Sequence, residues 1–136
     1  MQHEVAVRVL VVDDELEMAA VIADELGDRG YNAVALRSGR EALDRLQHEH
    51  FDALVTDLRM PGVDGMVLLR ASRALDPSRP VIVMTGHGAI DTALEAANQG
   101  AFHYITKPFS LVHLVELIER ALHVREEAGH TARVTT

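Results

Sequence analysis

Apolar residues along this chain alternate between two rhythms. Val9-Leu10-Val11-Val12 is a short, continuous, mostly β-branched run, the pattern of a strand buried on both faces of a parallel sheet. After Asp13-Asp14-Glu15 the apolar positions change to Leu16, Ala19, Ala20, Ala23 and Leu26. Steps of three and four mark one face of a helix, which Gly27–Gly30 closes. Asn32–Leu36 reads as a second strand, and Ser38-Gly39-Arg40-Glu41 is a capping-box pattern that opens a helix through about Gln47. The third strand is Ala53–Thr56, followed past Pro61-Gly62 by a helix from about Gly65 to Leu75. Asp76-Pro77-Ser78-Arg79-Pro80 must break that helix, because proline lacks an amide donor and restricts the residue before it. Val81–Met84 is a fourth strand, Ile90–Asn98 an Ala-rich helix closed by Gly100, and His103–Thr106 a fifth strand. From Ser110, an N-cap, the residues Leu111, Leu114, Val115, Ile118 and Leu122 form the strongest helical stripe of the chain.

Five strand–helix units in succession predict an α/β fold, a five-stranded parallel sheet with right-handed crossovers and helices on both faces. In such sheets ligands bind beyond the carboxyl ends of the strands, where the strand order reverses. Reactive residues follow the first, third, fourth and fifth strands, and the second contributes none. Order 2-1-3-4-5 groups the four contributors and leaves the second strand at an edge. Apolar periodicity fades from Glu126, so 1–126 reads as one domain and 127–136 as a frayed end with a loose tail or the start of a linker.

Composition narrows this picture. The 136 residues fit one domain, 48% hydrophobic residues supply a core, and with 4% aromatics and no Trp that core must be aliphatic. A net charge of −8 argues against direct binding to a nucleic-acid backbone. The absence of Cys excludes disulfides and thiolate metal sites. No secretion signal or bilayer-length apolar run is evident, so a cytoplasmic protein that makes no membrane contact is the expectation.

The four strand ends carry the chemistry. They deliver Asp13-Asp14, Asp57, Thr85-Gly86 and Lys107-Pro108. Phosphoryl transfer to a carboxylate requires a nucleophile, a cation for crowded oxygens, and donors for the oxygens of the moving group. Asp57 is the candidate nucleophile. Asp13, Asp14 and Asp57 form an acidic cluster suited to a hard cation, Mg²⁺ with Mn²⁺ or Ca²⁺ as substitutes, and the backbone carbonyl of Arg59 is a further candidate ligand. Lys107 offers a mobile positive charge and Thr85 a hydroxyl donor, while Gly86 leaves the site uncovered. A cis Lys107–Pro108 bond is available here, as it chiefly is before proline. Taken singly, each residue has a bland explanation: Asp13-Asp14 as a helix cap, Asp57 as a turn residue, Thr85 as a strand-end hydroxyl, Lys107 as a solvated charge. One shared site accounts for all four positions together.

At these residues the chain resembles the receiver domains of two-component response regulators. The motifs are Val11-Val12-Asp13-Asp14-Glu15, Thr56-Asp57-Leu58-Arg59-Met60-Pro61-Gly62, Met84-Thr85-Gly86-His87-Gly88 and Gly100 through Phe109, and the likeness covers about residues 6–125. It implies a flavodoxin-like, CheY-like fold. It also implies Asp57 as phosphoacceptor, Asp13 and Asp14 as metal-site acids, and Thr85 and Lys107 as phosphate contacts. Tyr104 is implied as an aromatic switch, and a sensor histidine kinase or phosphotransfer protein as phosphodonor. Asp57-Leu-Arg-Met-Pro-Gly and Thr85-Gly-His-Gly are most similar to receivers of enhancer-binding transcription activators. No ATPase or helix-turn-helix module accompanies them, so an isolated receiver or a segment of a longer regulator is expected.

Further expectations attach to this reading. Thr85 moves toward a phosphate on Asp57 and Tyr104 fills the vacated space, with the Ile90–Asn98 helix repacking. Val112 and Leu117 extend the apolar surface of the last helix and, beside the fourth helix and fifth strand, suggest a homodimer face or an output-domain contact. Arg59 and His87 flank the site mouth as candidates for tuning dephosphorylation. Two rival classes stay open. A haloacid-dehalogenase-type phosphatase would place its nucleophile on the first strand with a second Asp two residues on, whereas Asp13 and Asp14 are adjacent. A receiver-shaped interaction module that is never phosphorylated would typically lack Asp57 or Lys107.

Overall fold

The computed structural model describes residues 6–86 and 90–135, and the side chains of 90, 91 and 128–135 are not described. Five strands alternate with five helices: β1 Arg8–Val12, α1 Leu16–Asp28, β2 Asn32–Leu36, α2 Gly39–His48, β3 Ala53–Asp57, α3 Gly65–Leu75, β4 Val81–Thr85, α4 Ile90–Asn98, β5 His103–Thr106 and α5 Leu111–Thr135. The strands form one parallel sheet in the order β2-β1-β3-β4-β5. Helix starts are set by side-chain caps. Ser38 Oγ accepts from the Glu41 N–H at 3.3 Å, Asp64 Oδ1 accepts from Met66 and Val67, and Ser110 Oγ accepts from His113, each satisfying an amide that the helix leaves free.

Strand alternation splits the core into two layers. Val9, Val11, Ala53, Val55, Ile82, Met84 and Ile105 face α1 and α5. Leu10, Val12, Leu54, Val81 and Val83 face α2, α3 and α4. Continuous apolar strands are thus explained: both faces of the sheet are covered.

Two expectations are corrected. Residues 127–135 are no loose tail, since α5 continues as helix through Thr135. Residues 126–135 hold no proline to end the helix, and Glu126, Glu127, Ala128, Ala132 and Arg133 favour it, against Gly129 and the two threonines. Leu117 is no part of a second, exposed strip. It is buried in the core against the sheet, because it lies three residues from Leu114 and four from Ala121, on the stripe itself. Val112 is exposed.

At the amino ends of the strands, a polar network ties distant segments together. Arg125 on α5 donates to Asp52 Oδ1 at 2.9 Å, to the Asp52 carbonyl at 3.2 Å and to Asp76 Oδ2 at 3.4 Å. Asp52 Oδ2 accepts from the Arg8 N–H at 2.8 Å, and the Arg8 guanidinium lies 4.5 Å over the Phe51 ring while pairing with Glu49. Arg79, 4% exposed, donates to the Phe51 carbonyl and to Ser72 Oγ, both at 2.9 Å. Burial works against ionisation of Asp52 and Asp76. The Arg8 N–H, His50 and Arg125 at the first, and Ser78 and the neighbouring arginines at the second, outweigh it and hold both below the usual carboxylate range.

Arg79→Met orphans a buried carbonyl and hydroxyl and should lower the unfolding free energy by about 2–3 kcal/mol in urea titration. Because Asp52 and Asp76 have lowered folded pKa values, their stabilisation is present above the unfolded value near ~4 and is lost as pH falls through the folded values. Arg125→Met should therefore shrink the loss of stability between neutral and acid pH, measured as urea midpoints across that range.

Candidate functional site

Register brings the strand ends together. Val12 pairs with Thr56, so Asp13 and Asp57 follow side by side. Asp57 pairs with Met84, and Thr85 with Thr106, so Thr85 and Lys107 each lie one residue further along the same rim. Backbone bonds fix the turns: the Asp13 N–H donates to the Leu36 carbonyl at 3.0 Å, the Leu58 N–H to Met84 at 3.0 Å, and the Lys107 N–H to Thr85 at 2.8 Å. The Lys107–Pro108 peptide is cis.

Carboxylate oxygens of Asp13, Asp14 and Asp57 lie within 4.8 Å of one another. Asp13 is fully buried, Asp57 is 8% exposed, and Asp14 faces solvent. Lys107 Nζ reaches over this cluster, 2.7 Å from Asp13 Oδ2 and 3.4 Å from Asp57 Oδ2. Asp13 Oδ1 meanwhile accepts from the Glu15 N–H at 2.9 Å, a local turn just ahead of α1, whose own N-cap, Glu15, makes no side-chain cap bond. Burial pushes the Asp57 carboxyl up; Lys107 opposes this, while Asp13 and Asp14 add to it, and the net shift is upward. Burial pulls Lys107 down, but its bonds to Asp13 and Asp57 prevail and hold its ammonium above the usual lysine range.

Thr85 is 1% exposed, and its Oγ1 has no hydrogen-bond partner among the described residues. A buried hydroxyl without a partner is costly. A Cβ built on Gly86 meets nothing within 4 Å among the described residues. The donor set fits a hard divalent cation: three carboxylates clustered, all oxygen, with no sulfur.

The remaining candidates are placed less centrally. Tyr104 pairs with Val83 and packs half-buried in the same layer, on the sheet face that Thr85 shares by alternation. Its ring lies 5.7 Å from that of His103. Arg59 is exposed beside the site. His87 lies outside the described residues. Sequence reading passed over Thr56, whose Oγ1 donates to the Asp57 carbonyl at 2.9 Å. It also missed Gly65, whose hypothetical Cβ would fall 2.2 Å from the same oxygen. A hydroxyl inside an otherwise aliphatic strand was the available signal for the first.

Fold and rim together define a class: doubly wound parallel sheets that carry an acid cluster and a lysine at the switch point. More particularly, the chain belongs to the response regulator receiver domain family, whose model matches residues 9–119. It is 40% identical over 118 residues to the DNA-binding transcriptional regulator NtrC of Klebsiella pneumoniae, covering 86% of this chain and 25% of that protein. Identity to the transcriptional regulatory protein ZraR of Escherichia coli (strain K12) is 35% over 136 residues, covering 99% of this chain and 31% of that one. The chain therefore spans between a quarter and a third of these curated relatives. Among solved structures, NtrX from Brucella abortus superposes with a TM-score of 0.89 at 30% identity, over 96% of this chain and 30% of that chain. No described helix is long and apolar enough to cross a membrane.

Two substitutions probe the electrostatics in metal-free buffer. Asp57 has a raised folded pKa, so its ionisation costs stability above that value, and Asp57→Asn should raise the melting temperature at pH 7, the gain fading as pH falls toward ~4. Lys107→Met leaves buried Asp13 without its counter-charge and should cost about 3 kcal/mol. Thermal and urea unfolding of both variants measure these effects.

Proposed function

We propose that this chain is the phosphoryl-accepting input domain of a regulator, with Asp57 as acceptor. The observation that supports this most is Lys107 bridging Asp13 and Asp57 beside a Thr85 hydroxyl that has no partner among the described residues. A carboxylate oxygen of Asp57 attacks the phosphorus of a phosphohistidine on a sensor histidine kinase or phosphotransfer protein. The phosphorus–nitrogen bond breaks, its electron pair stays on the imidazole, and an acyl phosphate forms. Lys107 Nζ and Thr85 Oγ1 donate to the transferred oxygens, and Gly86 keeps the approach clear. Asp13, Asp14, Asp57 and the Arg59 carbonyl would hold Mg²⁺, with Mn²⁺ or Ca²⁺ as substitutes, and this cation supplies positive charge to crowded oxygens. Hydrolysis of the acyl phosphate returns the carboxylate and inorganic phosphate, and the exposed Arg59, with His87, is positioned in sequence to tune the attacking water.

On this reading the domain is a switch and turns over no external substrate. Thr85 shifts toward the phosphoryl group, Tyr104 follows into the vacated space, and α4 repacks. The receiver proper occupies 1–126, and 127–136 leads toward an output module outside this chain, transcriptional by analogy with the NtrC and ZraR relatives. Exposed Leu94 on α4 and Val112 on α5 support a homodimer face formed by α4, β5 and α5. With a net charge of −8, the domain itself does not bind nucleic acid, and its place is the cytoplasm.

Acetyl phosphate with Mg²⁺ should add one phosphate to the intact mass of the protein, and the adduct should be absent from Asp57→Ala. An unmodified wild type, or an equal adduct on the variant, would remove Asp57 from this role. Amide spectra after the same treatment should shift along α4 and around Tyr104 in wild type and stay unchanged in Asp57→Ala.

A further inference from the structure

The Asp57 carbonyl lies one step past the end of the β1–β3 ladder, whose last pair is Val12–Thr56. It is held instead from two other directions. Thr56, fully buried, donates its hydroxyl to that carbonyl at 2.9 Å. The bond spans Asp57 itself, from the residue before it to its own carbonyl, so rotating the peptide after Asp57 would break it. On the other side α3 begins against the same peptide. A Cβ on Gly65 would stand 2.2 Å from the Asp57 oxygen and 2.7 Å from the Leu58 Cα, and the Gly65 N–H donates to the Leu58 carbonyl at 3.0 Å. Only a residue without a Cβ lets the helix come this close.

We propose that Thr56 is a positioning residue: its hydroxyl, working against the backbone of Gly65, locks the Asp57 carbonyl and so fixes the direction in which the Asp57 carboxylate leaves β3 toward Asp14 and Lys107. The side-chain direction of a residue follows the peptide planes on either side of it, and those planes are what this clamp holds. Valine has nearly the shape of threonine but no donor. Thr56→Val therefore preserves the packing of the strand and frees the carbonyl, while Thr56→Ser keeps the donor. Misplacement of a reacting group by a fraction of an ångström is enough to slow a reaction that depends on alignment.

This inference rests on the receiver reading for its rate measurement but not for its binding measurement. The test compares wild type, Thr56→Val and Thr56→Ser, each shown folded by circular dichroism. It measures Mg²⁺ affinity by calorimetry, and the rate of modification by acetyl phosphate at saturating Mg²⁺. Thr56→Val should bind Mg²⁺ several-fold more weakly and react roughly tenfold more slowly, with Thr56→Ser within about twofold of wild type. Should the valine variant fail to fold, Thr56→Ala takes its place. Wild-type values for the hydroxyl-free variant overturn the proposal, and so does a serine variant as impaired as valine, which would assign the effect to packing. If wild type itself accepts no phosphate, the receiver reading fails, and the three Mg²⁺ affinities still decide whether Thr56 positions Asp57.

Discussion

Three carboxylates whose oxygens lie within 4.8 Å of one another repel, and the rim of this sheet holds them only because Lys107 reaches across from β5 to neutralise two. At such separations like charges interact by several kcal/mol even at an effective dielectric of ~20. That constraint explains the strand order as much as the chemistry. Lys107 can bridge Asp13 and Asp57 only if β1, β3, β4 and β5 are laterally contiguous, with β2, which brings nothing to the rim, pushed to the edge. The upward shift of Asp57 and the upward shift of Lys107 are two sides of one balance: a carboxylate that burial disfavours and an ammonium that its partners retain.

The two ends of the sheet are built on opposite principles. At the amino end, Arg8, Asp52, Asp76, Arg79 and Arg125 are interlinked, and even the buried Arg79 places its donors on a carbonyl and a hydroxyl. At the carboxyl end, an exposed acid stands beside two buried ones, and the Thr85 hydroxyl has no partner among the described residues. Saturated polar groups hold a structure in one arrangement, whereas unsatisfied ones leave free energy to be released when something arrives. Polar groups are thus interlinked where α5 is tied to the strand starts, while the strand ends carry crowded acids and a donor without a partner among the described residues.

The sequence revealed whatever depended on local pattern. Continuous β-branched runs, proline breaks and cap residues located all ten elements, and the strand-end motifs located Asp13, Asp57, Thr85 and Lys107 because each follows an apolar run directly. What stayed hidden depends on residues far apart in the chain. Nothing in the spacing of Arg8, Asp52, Asp76 and Arg125 announces a network, since those residues meet only after β1, β3, β4 and α5 are assembled. Leu117 misled for a related reason: a helical stripe wide enough to cover a sheet includes positions that a narrower stripe would leave outside. The end of α5 misled the other way, since loss of an apolar face removes the packing partner, but no proline follows to stop the helix.

The helices differ in how firmly the sheet holds them, and this bears on where a change at the rim can travel. α5 buries Leu114, Val115, Leu117, Ile118 and Ala121, and is further tied by Arg125. Among its described side chains, α4 buries the methyl groups of Ala93 and Ala96. At about 0.8 kcal/mol for each buried methylene, the described side chains of α4 contribute less contact than those of α5. α4 also packs beside β4 and β5, the two strands whose ends supply Thr85 and Lys107. On the proposed phosphoryl-accepting reading, a charge that draws on those two residues meets less resistance along α4, past the half-buried Tyr104, than along α5. On the same proposal α5, held by its buried stripe and by Arg125, is the fixed side of that movement.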